Sequence, residues 1–134
     1  EALRTGVCDF VATDHAPHEP EAKSDNFKTS AYGTTGLETL LKALLTLWKQ
    51  GELPTDRLVE VFSTAPAKFL GIDDRFGKLA LNFPFNAVLV DEKQTAKINA
   101  KDDLKSLSKN NCFVGSDLVG GIKGVFLEKK VYLL

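Results

Sequence analysis

Three ionisable side chains stand within five positions near the start of the chain: Asp14, His15 and His18, with Pro17 between the two histidines. They follow an apolar run over residues 7–13, and the chain has no other histidine. A carboxylate can ligate a divalent cation or accept a proton, and a histidine can donate a hydrogen bond to an anion. We therefore predict that residues 7–13 form a buried strand that delivers this chemistry to a sheet edge or a barrel mouth.

A long polar loop is predicted over residues 15–35, which prolines interrupt and which include Ser24 and Asp25. Long loops in compact domains are usually lids or binding loops, or else disordered. Gly33 and Gly36 would let backbone amides approach a ligand closely, although a flexible loop followed by a helix-capping glycine is the simpler explanation from composition. The charged residues of this loop are predicted to form a solvated face: Glu19, Glu21 and Lys23.

The clearest helix is predicted over residues 37–50, where the leucines fall on a single stripe. This stripe indicates packing against a core rather than a cofactor site. Thr35 and Glu38 fit a capping box at the start of the helix, in which each side chain satisfies a free backbone N–H. Gly51 fits its end, because glycine takes the left-handed conformation without penalty.

Two shorter helices are predicted to follow. One begins near Thr55, capped by the threonine hydroxyl, and the next runs from Thr64 to Gly71. Pro66 is tolerated in the first turn of the last helix, because the N–H that it lacks has no partner within the helix there. The inward-facing residues of the first of these helices are predicted to be Leu58, Val61 and Phe62.

The character of the chain changes after Gly77, where short β-prone runs replace the helical pattern. Strands are predicted over residues 87–90, 125–127 and 131–134, with residues 128–130 as the final hairpin turn. Residues 78–85 would cross from the helical part to this small β-domain. The prediction therefore divides the chain into residues 1–78 and residues 79–134.

Composition excludes several classes of protein. The chain has 17 Lys and Arg against 18 Asp and Glu, which gives no basis for a nucleic-acid partner. No apolar run approaches the roughly 20 residues that cross a bilayer, so no membrane association is expected. Cys8 and Cys112 are far apart and do not form a CxxC pair, which indicates two reduced thiols in a cytoplasmic protein.

The sequence TDHAPH at residues 13–18, directly after an apolar run, resembles the signature of the dihydroorotases, in the cyclic-amidase branch of the amidohydrolase superfamily. Further matches to that family are Glu21 with Lys23, the segment YGTTGLET at residues 32–39, and TAPA at residues 64–67 followed by Leu70 and Gly71. The resemblance implies an α/β fold: the last strand and following helices of a metal-dependent (β/α)8 barrel, plus a small β-domain. Such a barrel takes roughly 250 residues, and the chain has no methionine, so we expect a C-terminal portion that needs a missing N-terminal part of the barrel.

The resemblance also implies roles for individual residues. Asp14 would be a ligand of one of two catalytic zinc ions and the general base and acid, and the alternative is an aspartate that caps a loop. His18 would bind the substrate carboxylate, and the alternatives are a second metal ligand or a surface histidine. Gly33 would lie in the substrate-contacting loop. His15 would either orient Asp14 or pack beside the strand.

The implied activity is the zinc-dependent, reversible cyclisation of N-carbamoyl-L-aspartate to dihydroorotate in pyrimidine synthesis. The other metal ligands would lie upstream, so the segment alone is expected to be inactive, and a homo-oligomer is expected. An allantoinase or hydantoinase is a close alternative, which His18 argues against because those enzymes usually lack this histidine. A non-catalytic subunit that partners aspartate transcarbamoylase is the alternative of another class, and Asp14 and His18 argue against it.

Overall fold

Helices occupy the first half of the chain and strands the second. The structure is a computed structural model that describes residues 1–23 and 26–134, so Ser24 and Asp25 of the predicted loop lie outside the described residues. The helical elements are α1 (Ala2–Thr5), a 3₁₀ turn (Pro20–Ala22), α2 (Leu40–Lys49), α3 (Thr55–Val59), a π-helical segment (Glu60–Thr64) and α4 (Ala65–Phe69). The strands are β1 (Asn86–Lys97), β2 (Asp117–Leu127) and β3 (Lys130–Leu133). Within the described ranges, no helix has the length and apolar character that a membrane span requires.

Helix α2 confirms the predicted leucine stripe but begins three residues later than predicted, after a turn. Its buried leucines belong to the main core: Leu44 and Leu45, with Leu53, Leu58 and Val61 from the following segments. Gly51 ends the helical region with a φ of 78°. The predicted capping box is wrong, because Thr35 donates its hydroxyl to the Asn110 carbonyl and Glu38 accepts from the Ser106 N–H. Contacts with a distant loop have replaced the local cap.

Helices α3 and α4 join through the π-helical segment into one continuous helical run. Pro66 has no N–H, and the N–H of Ala65 donates to the Glu60 carbonyl, five residues earlier. The Val61 carbonyl is therefore left for another donor, the N–H of Val11 at 3.1 Å. The predicted hydroxyl cap at Thr55 is wrong, because Pro54 is the capping residue and forms no side-chain cap. As predicted, Leu58 and Val61 are buried, but Phe62 is 36% exposed.

The predicted strand over residues 7–13 is absent: the segment is irregular, and Val7 is 78% exposed. Among the described residues, its backbone bonds run to α1 and to the π-helical segment, through Cys8 and Val11. The guanidinium of Arg57 also donates to the Cys8 carbonyl and, at 2.6 Å, to the Leu3 carbonyl. A strand requires a second strand beside it, and here a helix occupies that place.

The three strands form an antiparallel sheet in the order β1-β2-β3. The predicted runs at residues 87–90, 125–127 and 131–134 fall in these strands, which extend further, apart from Leu134. β1 pairs with β2 from Asn86 opposite Leu127 to Lys97 opposite Asp117, with two register shifts. Leu127 pairs with Lys130 across the predicted hairpin turn, where Glu128 has a φ of 54°. A positive φ is what tight primed turns require.

Strand β2 packs on helix α2. The N–H of Val119 donates to the Thr46 hydroxyl at 2.9 Å. A Cβ added at Gly120 would lie 2.6 Å from a Leu45 methyl carbon, so glycine permits this close approach. A second small core of Ile98, Leu104 and Leu118 lies at the other end of the sheet. The sheet therefore contacts the helical half, and the division between residues 78 and 79 stays a prediction.

Candidate active site

Two segments run side by side at the candidate site: the TDHAPH segment (residues 13–18) and the glycine loop (residues 32–36). His15 and Thr34 form a parallel bridge, and the N–H of Ala16 donates to the Thr34 carbonyl at 3.0 Å. Gly33 has a φ of 105°, and a Cβ there would lie 2.5 Å from the Ala16 Cβ. A Cβ at Gly36 would lie 3.0 Å from the Thr13 carbonyl oxygen. Both glycines therefore permit close contact between the two backbones.

Asp14 lies at the bend where the chain enters this pair, with a φ of 42°. A left-handed conformation is uncommon outside glycine, although aspartate tolerates it better than most residues. The residue is exposed, and its carboxylate forms no hydrogen bond or ion pair within the described part of the chain. The loop-capping alternative requires such a bond from a local N–H. Among the described residues the carboxylate is therefore unpaired.

His18 is half-buried, and its Nε2 lies 2.8 Å from the Tyr32 carbonyl oxygen. Because a carbonyl only accepts, Nε2 must carry the proton in this contact. In the neutral ring, Nδ1 would then be an acceptor and would repel a carboxylate. Only the imidazolium can bond Tyr32 and also donate to an anion from Nδ1.

His15 makes contacts beyond the two roles that the sequence suggested. Its Nδ1 accepts hydrogen bonds from the N–H of Gly36 at 3.1 Å and of Leu37 at 3.4 Å. The described structure has no hydrogen bond between His15 and Asp14. The histidine therefore joins the TDHAPH segment to the turn that precedes α2, a contact that no local pattern predicts.

Lys23 corrects the prediction of a solvated charged face. Its side chain is half-buried, and Nζ donates to the Ala31 carbonyl at 2.6 Å and to the Gly33 carbonyl at 2.7 Å. Glu19 and Glu21 are exposed, as predicted. The lysine thus joins the middle of the long loop to its later part and donates to the carbonyl of Gly33. The Gly33 N–H has no acceptor within the described residues.

The β1–β2 loop (residues 98–116) reaches the glycine loop and holds it from the other side. The Asn110 carbonyl accepts from the Thr35 N–H at 2.8 Å, and its side-chain amide donates to the Gly33 carbonyl at 3.0 Å. Asn111 is buried and donates to the Thr35 carbonyl at 2.7 Å and the Thr39 hydroxyl at 3.0 Å. Sequence reasoning missed both asparagines, because no motif or spacing distinguishes them from other polar residues of a loop.

The same loop donates a hydrogen bond to a partly buried carboxylate beside the site, that of Glu38. One oxygen of Glu38 accepts from the Ser106 N–H at 2.7 Å, and the other, Oε2, is buried without a partner among the described residues. Burial acts to raise the pKa of this carboxyl, but the hydrogen bonds from the Ser106 N–H and other backbone N–H groups, together with the nearby His15, outweigh it. The pKa of Glu38 is therefore below its ordinary value, and the side chain is a carboxylate at neutral pH.

The described residues do not form a complete metal site. No group of three or more His, Cys, Asp or Glu side chains in residues 1–23 and 26–134 is placed to hold a metal ion. A catalytic zinc usually takes three protein ligands, and Asp14 supplies one carboxylate. A cleft of about 500 Å³ lies between the helices and the sheet and is lined mainly by apolar side chains, with none of Asp14, His15, His18 or Gly33.

The sequence comparisons agree with the motif. The amidohydrolase family pattern matches residues 1–128. The chain is 38% identical over 131 residues to a dihydroorotase of Geobacter metallireducens, covering 98% of the chain and 30% of that protein. It is 38% identical over 133 residues to a dihydroorotase of Streptococcus thermophilus, covering 98% of the chain and 31% of that protein. The predicted resemblance to dihydroorotases is confirmed.

Solved structures confirm the fold class. An L-hydantoinase from Arthrobacter aurescens superposes with a TM-score of 0.92 at 29% identity, over 100% of the chain and 32% of that protein. A D-hydantoinase from Thermus sp. gives 0.89 at 29% identity, over 98% of the chain and 30% of that protein. The chain thus spans about a third of the length of each relative. With its helices, its three-stranded sheet and its TDHAPH segment, it belongs to the amidohydrolase family.

Proposed function

We propose that the chain is the C-terminal segment of a zinc-dependent dihydroorotase, which interconverts N-carbamoyl-L-aspartate and dihydroorotate in pyrimidine synthesis. The observation that carries the proposal is the pairing of the TDHAPH segment with the glycine loop. The two paired segments contain an unpaired carboxylate, a histidine and a free backbone N–H, from Asp14, His18 and Gly33. A substrate with an anionic group and a hydrolysable amide needs groups of these three kinds.

Asp14 would move the proton. In ring opening, its carboxylate accepts a proton from the attacking water and returns it to the leaving amide nitrogen, and cyclisation reverses this path. The free carboxylate of Asp14 suits this role, because no protein donor competes for its oxygens within the described chain. The bound metal would activate the water, and Asp14 would be one of its ligands. The remaining ligands have to come from outside the described chain.

His18 and Gly33 would hold the substrate carboxylate. As an imidazolium, His18 donates to Tyr32 from Nε2 and to the carboxylate from Nδ1. The N–H of Gly33 is a second donor, and a glycine at that position lets the ligand approach the backbone. Recognition of a carboxylate by these two groups explains why a dihydroorotase would have a histidine at this place.

A hydantoinase is the second candidate, because the structural matches favour it. Identity is higher with the dihydroorotases, at 38% against 29%, and the proposed role of His18 needs a substrate carboxylate that hydantoin lacks.

We further propose a cytoplasmic homo-oligomer, with aspartate transcarbamoylase as a partner. The isolated chain exposes apolar side chains such as Leu81 and Leu107, so we expect it to associate. Light scattering measures this, and a monomer would contradict the proposed association.

The experiment is a substrate comparison on the complete enzyme that contains this segment. Purified protein is assayed with dihydroorotate, hydantoin and dihydrouracil, before and after removal and return of zinc. We expect zinc-dependent turnover of dihydroorotate and a raised KM for it in the His18→Ala variant. Turnover of hydantoin without turnover of dihydroorotate would favour the second candidate. Absence of all turnover, together with co-purification of aspartate transcarbamoylase, would favour a non-catalytic subunit.

A further inference from the structure

We propose that His15 is a positioning residue: through Nδ1 it fixes the glycine loop at a set place beside Asp14. The kinetic part of this inference rests on the proposed function. The contact itself does not, since it is formed by the ring nitrogen with the amides of Gly36 and Leu37.

The two amides lie at the turn that leads into α2. The first N–H groups of a helical region have no partner within the helix and need one elsewhere. The Gly36 carbonyl accepts from Thr39 and Leu40, so this turn is continuous with the helix. A side-chain cap normally comes from a residue close in sequence, and Thr39 provides none. His15 supplies the acceptor instead, from the far side of the long loop.

The direction of these bonds fixes the state of the ring. Nδ1 faces two N–H donors, so it must carry a lone pair and no proton. In this geometry Nδ1 is therefore the acceptor, and the ring proton is on Nε2. A residue whose Nδ1 is occupied by backbone amides does not attack or protonate a substrate from that atom. Its effect on the reaction is exerted through the groups that it holds.

Those groups belong to the proposed site. His15 is paired with Thr34 through the bond from the Ala16 N–H to the Thr34 carbonyl, and it directly follows Asp14 in the chain. Gly33 directly precedes Thr34, and its N–H is the proposed donor to the substrate. The ring bond to Gly36 closes the other end of the same loop. The bridge and the ring bond together prevent the glycine loop from sliding or turning relative to Asp14.

The test compares three substitutions in the complete enzyme. His15→Ala removes the acceptor. His15→Asn restores an oxygen near the position of Nδ1, whereas His15→Gln carries its amide further out and serves as the matched control. Loss of a residue that holds a site group in place typically costs about 10- to 100-fold in activity. We expect kcat/KM to fall by about this factor in the Ala and Gln variants, mainly through KM, and to recover to within about threefold in the Asn variant.

Hydrogen–deuterium exchange provides a readout independent of catalysis. The peptide that contains Gly36 and Leu37 should exchange faster in the Ala and Gln variants than in the unsubstituted enzyme and the Asn variant. Equal impairment of the Asn and Gln variants, or a KM unchanged in His15→Ala, overturns the positioning role. If the unsubstituted enzyme does not act on dihydroorotate, the proposed function fails. In that case the exchange pattern alone decides whether His15 holds the loop, and unaltered exchange in His15→Ala refutes it.

Discussion

Two β-prone stretches of this chain, residues 7–13 and residues 125–133, take different structures. The second contains the end of β2, a two-residue turn and β3. The first forms no strand among the described residues. The hairpin carries its pairing partner a few residues away, so closing it costs little entropy. Residues 7–13 lie instead against a helix, through the bond from Val11 to Val61. A β-prone sequence becomes a strand only where a partner is supplied.

The difference extends to the site. The hairpin is held by pairing between strands, both within itself and with β1. The segment that ends in Asp14 is instead held by a side chain before it, that of Arg57, and by the glycine loop after it. Within the described residues the side chain of Asp14 contributes no bond to this arrangement. The proposed catalytic residue of this segment, Asp14, is therefore not the residue whose side chain holds the segment in place. Substitutions can test the catalytic effect and the effect on stability separately.

The largest expected effect is on catalysis at Asp14. Asp14→Asn preserves size but removes the charge and the basic oxygen, and proton transfer by a placed group contributes about 100- to 10,000-fold. We expect kcat of the complete enzyme to fall by this factor, while the thermal unfolding midpoint stays close to that of the unsubstituted protein. Steady-state kinetics with metal content checked is the measurement. A near-normal kcat would remove Asp14 from the proton-transfer role.

Sequence alone predicts the locally determined parts well. The leucine stripe of α2, the glycine that ends it, the short helix with Pro66 and the hairpin turn all follow from neighbours in the chain. The capping box at Thr35 and Glu38 and the strand before Asp14 are wrong, because partners from the β1–β2 loop and from Arg57 override local preference. Nothing in the sequence pairs residue 35 with residue 110.

For the candidate site, the motif gives the identity of the residues but not their contacts. Asp14, His18 and Gly33 stand out through residue type and resemblance, and the structure brings the segments that contain them together. The bonds of His15 and Lys23 were not predictable, because each joins a side chain to backbone groups whose position depends on the whole loop. The roles of the three site residues stay predictions.

The next largest effect is expected on stability at Arg57, whose side chain bonds the first β-prone stretch but not the hairpin. Its side chain is 12% exposed, pairs with Glu60 at 2.7 Å and donates to the Leu3 and Cys8 carbonyls. Hydrogen bonds from a charged group contribute about 1.5–3 kcal/mol each when partly buried. We expect Arg57→Ala to lower the free energy of unfolding by roughly that amount and to accelerate amide exchange over residues 7–13.

The matched control for Arg57→Ala is Lys129→Ala in the hairpin turn, where the side chain is exposed. Such a surface change usually shifts stability by less than about 0.5 kcal/mol. Exchange in β2 and β3 should be unaltered by both substitutions. If Arg57→Ala accelerated exchange equally in the hairpin, the two stretches would belong to one cooperative unit, and the comparison drawn above would be wrong.

The smallest effect concerns Glu38, which lies between the glycine loop and the β1–β2 loop. The folded-state pKa of this carboxyl is below its ordinary value of 4.5. A lowered pKa means that folding favours the charged form, so this contribution to stability is complete above about pH 4.5 and is lost as pH falls through the folded-state value.

The Glu38→Gln variant has no such charge to lose, and its added amide would place an N–H₂ group where Oε2 is buried without a partner. We expect the variant to be less stable at pH 7 by about 1 kcal/mol or less, and the difference to shrink as the pH falls below the ordinary pKa of 4.5. Urea titrations of the dilute chain, followed by the fluorescence of its single tryptophan, Trp48, measure both. A difference that does not change with pH would mean that the charge of Glu38 contributes nothing to this junction, and that the Ser106 bond acts through geometry alone.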